Sequence, residues 1–185
     1  CKKSIETPKS YILSVYDYKD ILIKKAIHRI KYFNKRELVW PLTDDLAALI
    51  TDRVLNQNKK ITWVTIPIPM AHIRKYIRGY NHAELIAEEI SKKCNITILK
   101  NILYRSKTVR RQVKTKSRQE RLDNQRNSFS VHASTQGMSI ILIDDVTTTG
   151  ATWSIVAINM NLSRISLAGL PSLVNYVKGQ CASNY

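Results

Sequence analysis

Glycine is scarce in this chain, five residues in 185, and so are cysteine, with three, and acid, with 14 Asp+Glu against 30 Lys+Arg. Each shortage excludes something. Cys1, Cys94 and Cys181 stand too far apart for a local metal-ligand spacing, and their odd number rules out a full disulfide framework. No run approaches the roughly 20 apolar residues of a membrane span. The opening residues, with Lys2, Lys3, Glu6 and Pro8, lack the apolar stretch of a signal peptide, so a cytoplasmic protein without membrane insertion is expected. The chain opens on Cys1 rather than methionine, as a fragment would. No G-x-x-x-x-G-K-[ST] occurs, which excludes a P-loop nucleotide hydrolase.

What is present is positive charge, and it is concentrated. The formal net charge is +16, and the 27 residues from Lys100 to Arg126 hold ten bases and two acids, half of that total. Such a balance favours polyanionic partners, either nucleic acid or a phosphate-rich small molecule.

Strand and helix patterns alternate. YILSVYDYKD (11–20) has strand composition, and Ile23, Ala26, Ile27 and Ile30 then form one stripe of a helix whose other face carries Lys24, His28, Lys31 and Lys35. A second helix is predicted over Leu42–Leu55, followed by a buried strand, ITWVTIPIP (61–69), which its prolines end. After a basic loop, Asn81 caps a helix in which Ala83, Ile86, Ala87 and Ile90 face one way, with Glu88–Lys92 and Glu89–Lys93 as expected i,i+4 pairs. Short strands near 96–99, 102–105 and 128–131 lead to SIILI (139–143), a helix over Ala151–Leu162 and a last strand, ISLAGL (165–170). The tyrosines of the N-terminal half read as strand or core residues. Together these patterns predict an α/β fold with a mostly parallel twisted sheet flanked by helices. Residues 1–60 form an N-terminal strand and helix region and 61–185 the core, the two making one structural domain.

The stretch IILIDDVTTTGAT (140–152) carries the chemistry. An apolar strand holds Asp144 and Asp145 rigidly at its end, and adjacent strand residues point to opposite faces, so the pair is no simple chelate. Ionised carboxylates accept hydrogen bonds only, which suits sugar hydroxyls or metal-bound water. The loop after them, Thr147, Thr148, Thr149, Gly150, Ala151 and Thr152, offers hydroxyls and free N–H groups at a helix start, as a phosphate site needs. Sugar acceptors beside phosphate donors describe a ribose 5-phosphate. The plain alternative is a capped turn with solvated aspartates.

This stretch is similar to the 5-phosphoribosyl 1-pyrophosphate (PRPP) signature of type I phosphoribosyltransferases. Together with YDYKDILIKKAIHRIKY (16–32), IPIPMAHIRKYIRGYNHAELIA (66–87) and RSKTVRRQVKTKSRQERLDNQRNSF (105–129), it resembles the ComF/GntX family of competence-related phosphoribosyltransferase-like proteins over about Tyr16 to Leu170. The resemblance implies the type I phosphoribosyltransferase fold with a small N-terminal hood. It implies that Asp144 and Asp145 meet the ribose hydroxyls and, through water, Mg²⁺ that is bound mainly by PRPP. Thr147 to Thr152 would wrap the 5-phosphate, and Arg74, Arg78 and Gly79 would serve the pyrophosphate side. Residues 105–121 would form a mobile basic loop with Thr108, Arg110, Arg111, Gln112 and Arg121 as its candidate site residues, of which Thr108, Gln112 and Arg121, with Asn124, match the family's pattern. Two departures stand out. Thr148 occupies the place where some type I enzymes carry an aspartate base, and only Cys1 is left of the family's cysteine-rich zinc ribbon, so no zinc is expected.

Two functions follow from the resemblance. One is Mg²⁺-dependent phosphoribosyl transfer with pyrophosphate release, associated with DNA uptake. The other is a non-catalytic accessory of the transformation machinery that binds single-stranded DNA beside a competence helicase. A degenerate relative with neither activity is a third outcome.

Overall fold

The computed structural model describes residues 10–57, 61–105, 128–135, 137–146, 156, 160 and 164–172. Strand β1 (Ser10–Asp17) leads into helix α1 (Ile21–Phe33). Asp20 caps α1 by accepting from the N–H groups of Leu22 and Ile23 at 2.8 and 3.4 Å, and Asn34 ends it in the left-handed region at φ 54°. A 3₁₀ turn (Arg36–Leu38) opens α2 (Val39–Ile50), which runs on as a wider π turn through Thr51–Leu55. The predicted second helix therefore begins three residues earlier and changes its winding near its end.

Strand β2 (Trp63–Pro67) is followed by α3 (His72–Arg78) and α4 (His82–Cys94). The basic segment expected as a loop is thus largely helical, and Gly79, at φ 76°, ends α3 by donating its N–H to the Lys75 carbonyl at 2.8 Å. Few residues but glycine adopt that backbone without strain. Asn81 is the N-cap of α4, as its sequence implied. Strands β3 (Thr97–Ile98), β4 (Leu103–Arg105), β5 (Phe129–Val131), β6 (Ser139–Asp144) and β7 (Arg164–Ser172) complete the described elements.

Five strands form one sheet in the order β1-β7-β6-β2-β3, with every pairing parallel, and β4 and β5 form a separate antiparallel ribbon. This is the α/β class with a largely parallel sheet that the sequence predicts. β1 is an edge strand of that sheet, hydrogen-bonded to β7.

Strand β6 lies at the centre, and Ile140 to Ile143 are wholly buried. Its alternation explains why apolar residues were needed on both faces. Ile141 and Ile143 pack in a core with Ile27 and Ile30 of α1, Leu46 and Ile50 of α2, and Ile86 and Ile90 of α4. Ile140 and Leu142 pack on the other side with Ile66, Ile68, Leu103, Phe129, Val156 and Met160. With β6 clamped from both faces, Asp144 and Asp145 are held firmly at the sheet's carboxyl edge.

The ion pairs on α4 differ from the expected i,i+4 set. Lys92 pairs with Glu89 at 2.8 Å, one turn in the i,i+3 direction. Lys93 instead crosses to α2, where it meets Asp44 at 2.7 Å, the Trp40 carbonyl at 2.7 Å and Thr43 Oγ1 at 2.7 Å. Glu88 is taken by Lys100 at 2.6 Å. Lys93 sits on the seam between α2 and α4, so an acceptor across the seam outcompetes one on its own helix. Of the tyrosines expected in strands or core, Tyr11 and Tyr16 lie in β1 and Tyr80 is buried, whereas Tyr32 and Tyr76 are exposed, as is Trp40.

Candidate functional site

In a parallel sheet the carboxyl ends of the strands share one edge, where ligands of such folds collect. Here that edge opens into a cavity of about 670 Å³. Asp144 and Asp145 come from the end of β6, Ile68, Pro69 and Met70 from the exit of β2, and Arg74 and Arg78 from α3. The opposite wall is α1, through Lys24, Ile27, His28, Lys31 and Tyr32, with Tyr18 at its base; Asn81, Ala83 and Arg105 close the remainder.

Five cationic side chains (Lys24, Lys31, Arg74, Arg78 and Arg105) thus face two carboxylates. The sequence-level candidates Asp144, Asp145, Arg74 and Arg78 are brought together, whereas Gly79 does not line the cavity and serves to end α3. Thr147, Thr148, Thr149, Gly150, Ala151 and Thr152 lie outside the described residues, as do Thr108, Arg110, Arg111, Gln112 and Arg121.

The two aspartates are oriented differently. Asp144 Oδ1 accepts the Asp145 N–H at 2.8 Å, and its charge reaches Arg105. Burial is what chiefly weakens the Arg105 guanidinium's hold on its proton; Arg74 adds to that effect and Asp144 opposes it. Arginine nevertheless stays charged in proteins, and this one rests over the Phe129 ring at 5.2 Å. Asp145 turns towards α1, where Oδ2 meets Lys31 Nζ at 2.7 Å. On the far side of the same oxygen is His82 Nδ1, at 4.0 Å.

His82 is the first residue of α4, and its ring is buried edge-on against Tyr80 with centroids 4.9 Å apart. Burial drives its pKa from the ordinary 6.5 to about 4; Asp145 and the Ile30 carbonyl act against that, Arg78 and Lys31 with it. Tyr80 donates to the Ile30 carbonyl at 2.6 Å and lies under the Arg36 guanidinium at 4.1 Å. Asn81 does two tasks, accepting from the Ala83 N–H at 3.3 Å and donating to the Ile68 carbonyl at 3.0 Å. It therefore bolts the start of α4 to the exit of β2.

Sequence reasoning missed the contribution of α1. Lys24, His28 and Lys31 recur at i, i+4 and i+7, a face recognised as polar but not as part of a site. Arg105 and His82 carried no local signal. Two carboxylates, without a third protein ligand among the described residues, fit a hard cation such as Mg²⁺ only where a ligand's own oxygens supply most of the coordination. Among the described residues no group of three His, Cys, Asp or Glu is placed to hold a metal.

Comparison with known proteins adds to this geometry. No family model matches the chain. Competence protein F of Haemophilus influenzae is 33% identical over 129 residues, 68% of this chain, and competence protein ComFC of Bacillus subtilis is 31% identical over 140 residues, 75% of it. The chain belongs to the competence protein F (ComF) family. The match spans 56% and 53% of those two relatives' own lengths, so this chain accounts for about half of each. A more distant relative of the ComF chain is the DNA utilization protein YhgH of Escherichia coli K12, 24% identical over 164 residues, 85% of this chain and 69% of that protein. Among solved structures, a purine phosphoribosyltransferase from Pyrococcus horikoshii overlaps 90% of this chain and 82% of its own at a TM-score of 0.39 and 13% identity, too loose a likeness to bear on function. Among the described residues, no helix is long and apolar enough to cross a membrane.

Proposed function

We propose that this ComF-family chain binds PRPP or ribose 5-phosphate in the cavity at the end of β6 and, from PRPP, transfers the phosphoribosyl group to a nucleophilic acceptor, whose new bond to the anomeric carbon replaces the one to the departing pyrophosphate, in the service of DNA uptake. The observation that carries this is the pairing of two carboxylates with five cations around one opening of about 670 Å³. Carboxylates accept from sugar hydroxyls and repel phosphate, and the cations do the reverse. A sugar phosphate satisfies both.

In this reading Asp144 and Asp145 accept from the ribose hydroxyls and fix the ring. Arg74 and Arg78 take the pyrophosphate side, so charge that builds up as the bond to the anomeric carbon breaks is met by donors already in place. Mg²⁺ bound chiefly to PRPP oxygens would add further charge neutralisation on the leaving group. Arg105, half-buried over the Phe129 ring, adds a positive charge that Asp144 feels. The names of the relatives, for competence and DNA utilization, support the biological setting.

Calorimetric titration of PRPP into the chain, with and without Mg²⁺, tests the proposal. Mg²⁺-dependent binding that is abolished by Asp144→Asn with Asp145→Asn is the expected result. No PRPP binding at millimolar concentrations would refute it.

A second reading, binding of single-stranded DNA, is favoured by one observation. Tyr76 is 91% exposed, with Ile73 and Ile77 exposed beside it, and Arg78 on the same helix lies over the exposed Tyr32 ring at 5.0 Å. Aromatic faces interleaved with cations suit stacked bases. Affinity for a single strand should then fall steeply with salt, and Tyr76→Ala should weaken it, whereas Arg110, Arg111 and Lys114 neutralised together should flatten the salt slope.

A further inference from the structure

His82 is a buried group that the proposed chemistry leaves unused. Its side chain is 2% exposed, and among the described residues neither ring nitrogen has a hydrogen-bond partner of ordinary geometry. The Ile30 carbonyl accepts from Tyr80 and also lies near the ring, but its contact with His82 falls short of ordinary hydrogen-bond geometry. A buried N–H without an acceptor is a standing cost, and proteins seldom keep one without a use. Asp145 Oδ2 is 4.0 Å from Nδ1, beyond a hydrogen bond but within one small turn of the carboxylate. That oxygen is drawn the other way by Lys31 Nζ at 2.7 Å, and Lys31 lines the cavity. An anion entering the cavity therefore competes with Asp145 for the same ammonium group.

We propose that His82 is a positioning residue for Asp145: as an anionic ligand draws Lys31 away, the carboxylate turns onto the His82 Nδ1–H, which fixes it towards the hydroxyls of the ligand. This rests on the ribose-phosphate reading given above and adds a residue that touches no ligand itself. Ligand binding then solves two problems at once. It strips a half-buried carboxylate of its cation, which leaves that group in need of a donor. It also brings an acceptor within reach of a buried donor that lacks one. No protonation change is required, since a neutral imidazole with its proton on Nδ1 is a sufficient donor. Because His82 begins α4 and Asn81 bolts that helix end to β2, the donor is held on a rigid element rather than on a loop. Lys31 and His82 are then alternative holders of one carboxylate, the first for the empty site and the second for the filled one.

The test uses the full chain and two separate probes, ribose 5-phosphate and inorganic pyrophosphate, titrated into the wild type, His82→Leu and His82→Gln. His82→Leu removes the donor at similar volume, and His82→Gln restores an N–H. The expected result is ribose 5-phosphate binding weakened about ten-fold in His82→Leu, the scale of one hydrogen bond to a charged group. Pyrophosphate, assigned above to Arg74 and Arg78 rather than Lys31 and without hydroxyls for Asp145 to meet, should stay within about two-fold, and His82→Gln should recover most of the loss. Equal weakening for both probes with no rescue by glutamine marks a general structural role and overturns the proposal, as does unaltered ribose 5-phosphate binding in His82→Leu. A wild type that binds pyrophosphate but not ribose 5-phosphate overturns the ribose reading itself, and this inference with it. Should His82→Leu fail to fold, nuclear magnetic resonance of the wild type decides the matter. The His82 Nδ1–H proton should shift downfield when ribose 5-phosphate is added, and a resonance that does not move overturns the proposal.

Discussion

Replacing Lys31 with methionine should destabilise the chain by about 1–2 kcal/mol, a value that sits between two limits. Lys31 Nζ and Asp145 Oδ2 are 2.7 Å apart, and their side chains are 19% and 23% exposed. At an effective dielectric constant near 20, two charges at that separation attract by about 6 kcal/mol, most of which is offset by the desolvation of both ions. Exposed pairs are worth about 0.2–1 kcal/mol, and breaking fully buried ones costs about 3–5. A pair four-fifths covered falls between, because among the described residues Asp145 then keeps His82, at 4.0 Å, as its remaining neighbour of opposite polarity. For a domain of this size the midpoint of thermal unfolding should drop by about 2–8 °C. Urea denaturation of Lys31→Met, Asp145→Asn and the double variant measures the coupling directly. Removing both partners should cost less than the sum of the single losses, by about 1 kcal/mol, and the difference should persist at high salt because the pair is shielded from ions in solution. If the two single losses add to within about 0.3 kcal/mol, the contact stabilises nothing, and the picture of Lys31 as the resting holder of Asp145 fails.

Two further outcomes follow. The His82 imidazole is held near pKa 4 in the folded chain against 6.5 in the unfolded one, so between those values the unfolded chain binds the extra proton. Stability should therefore fall as pH is lowered from about 6.5 to about 4, by an amount on the order of 2–3 kcal/mol, and His82→Gln should lose that part of the slope in denaturation curves taken across the range. Asn81→Ala removes both the cap of α4 and the tie to the Ile68 carbonyl; a loss of about 2 kcal/mol is expected in thermal melts, with pyrophosphate affinity falling as α3 and α4 loosen from β2.

How much of this could be read from the sequence depended on how local the cause was. Strand β6 was legible because burial on both faces demands an unbroken apolar run, and Ile140–Ile143 supply one. The cap at Asn81 was legible because an asparagine before an apolar stripe has few other uses. Helix α3 was not legible as a helix. Its apolar residues Ile73, Tyr76 and Ile77 stand at helical spacing, but they face solvent, and basic neighbours disguise the stripe. Gly79 was the surviving signal, since a glycine after RKYIR is a helix stop as readily as a loop contact. Lys93 could not be placed from sequence at all, because its partner Asp44 is 49 residues away and only the packing of α2 on α4 brings them together. Arg105 is the same case. It precedes a long basic segment, and nothing local marks it as a base that lies over Phe129 within reach of the Asp144 charge.

The α1 wall shows why the site was only half visible. A face with Lys24, His28 and Lys31 looks solvated when the helix is read alone, and it would be so if α1 ended the sheet elsewhere. β1 pairs with β7 rather than leading away from the sheet, and the turn after Asp17 returns α1 over the carboxyl edge, so those bases face the aspartates. The same arrangement resolves the apparent conflict of two carboxylates beside a phosphate site. Asp144 and Asp145 diverge at the strand end, one towards Arg105 and the other towards Lys31, so neither presents an unopposed negative charge to an incoming anion. The anion instead exchanges with a carboxylate for a cation already present. Exchange of that kind needs somewhere for the displaced carboxylate to go, and His82 is the buried donor within reach of Asp145.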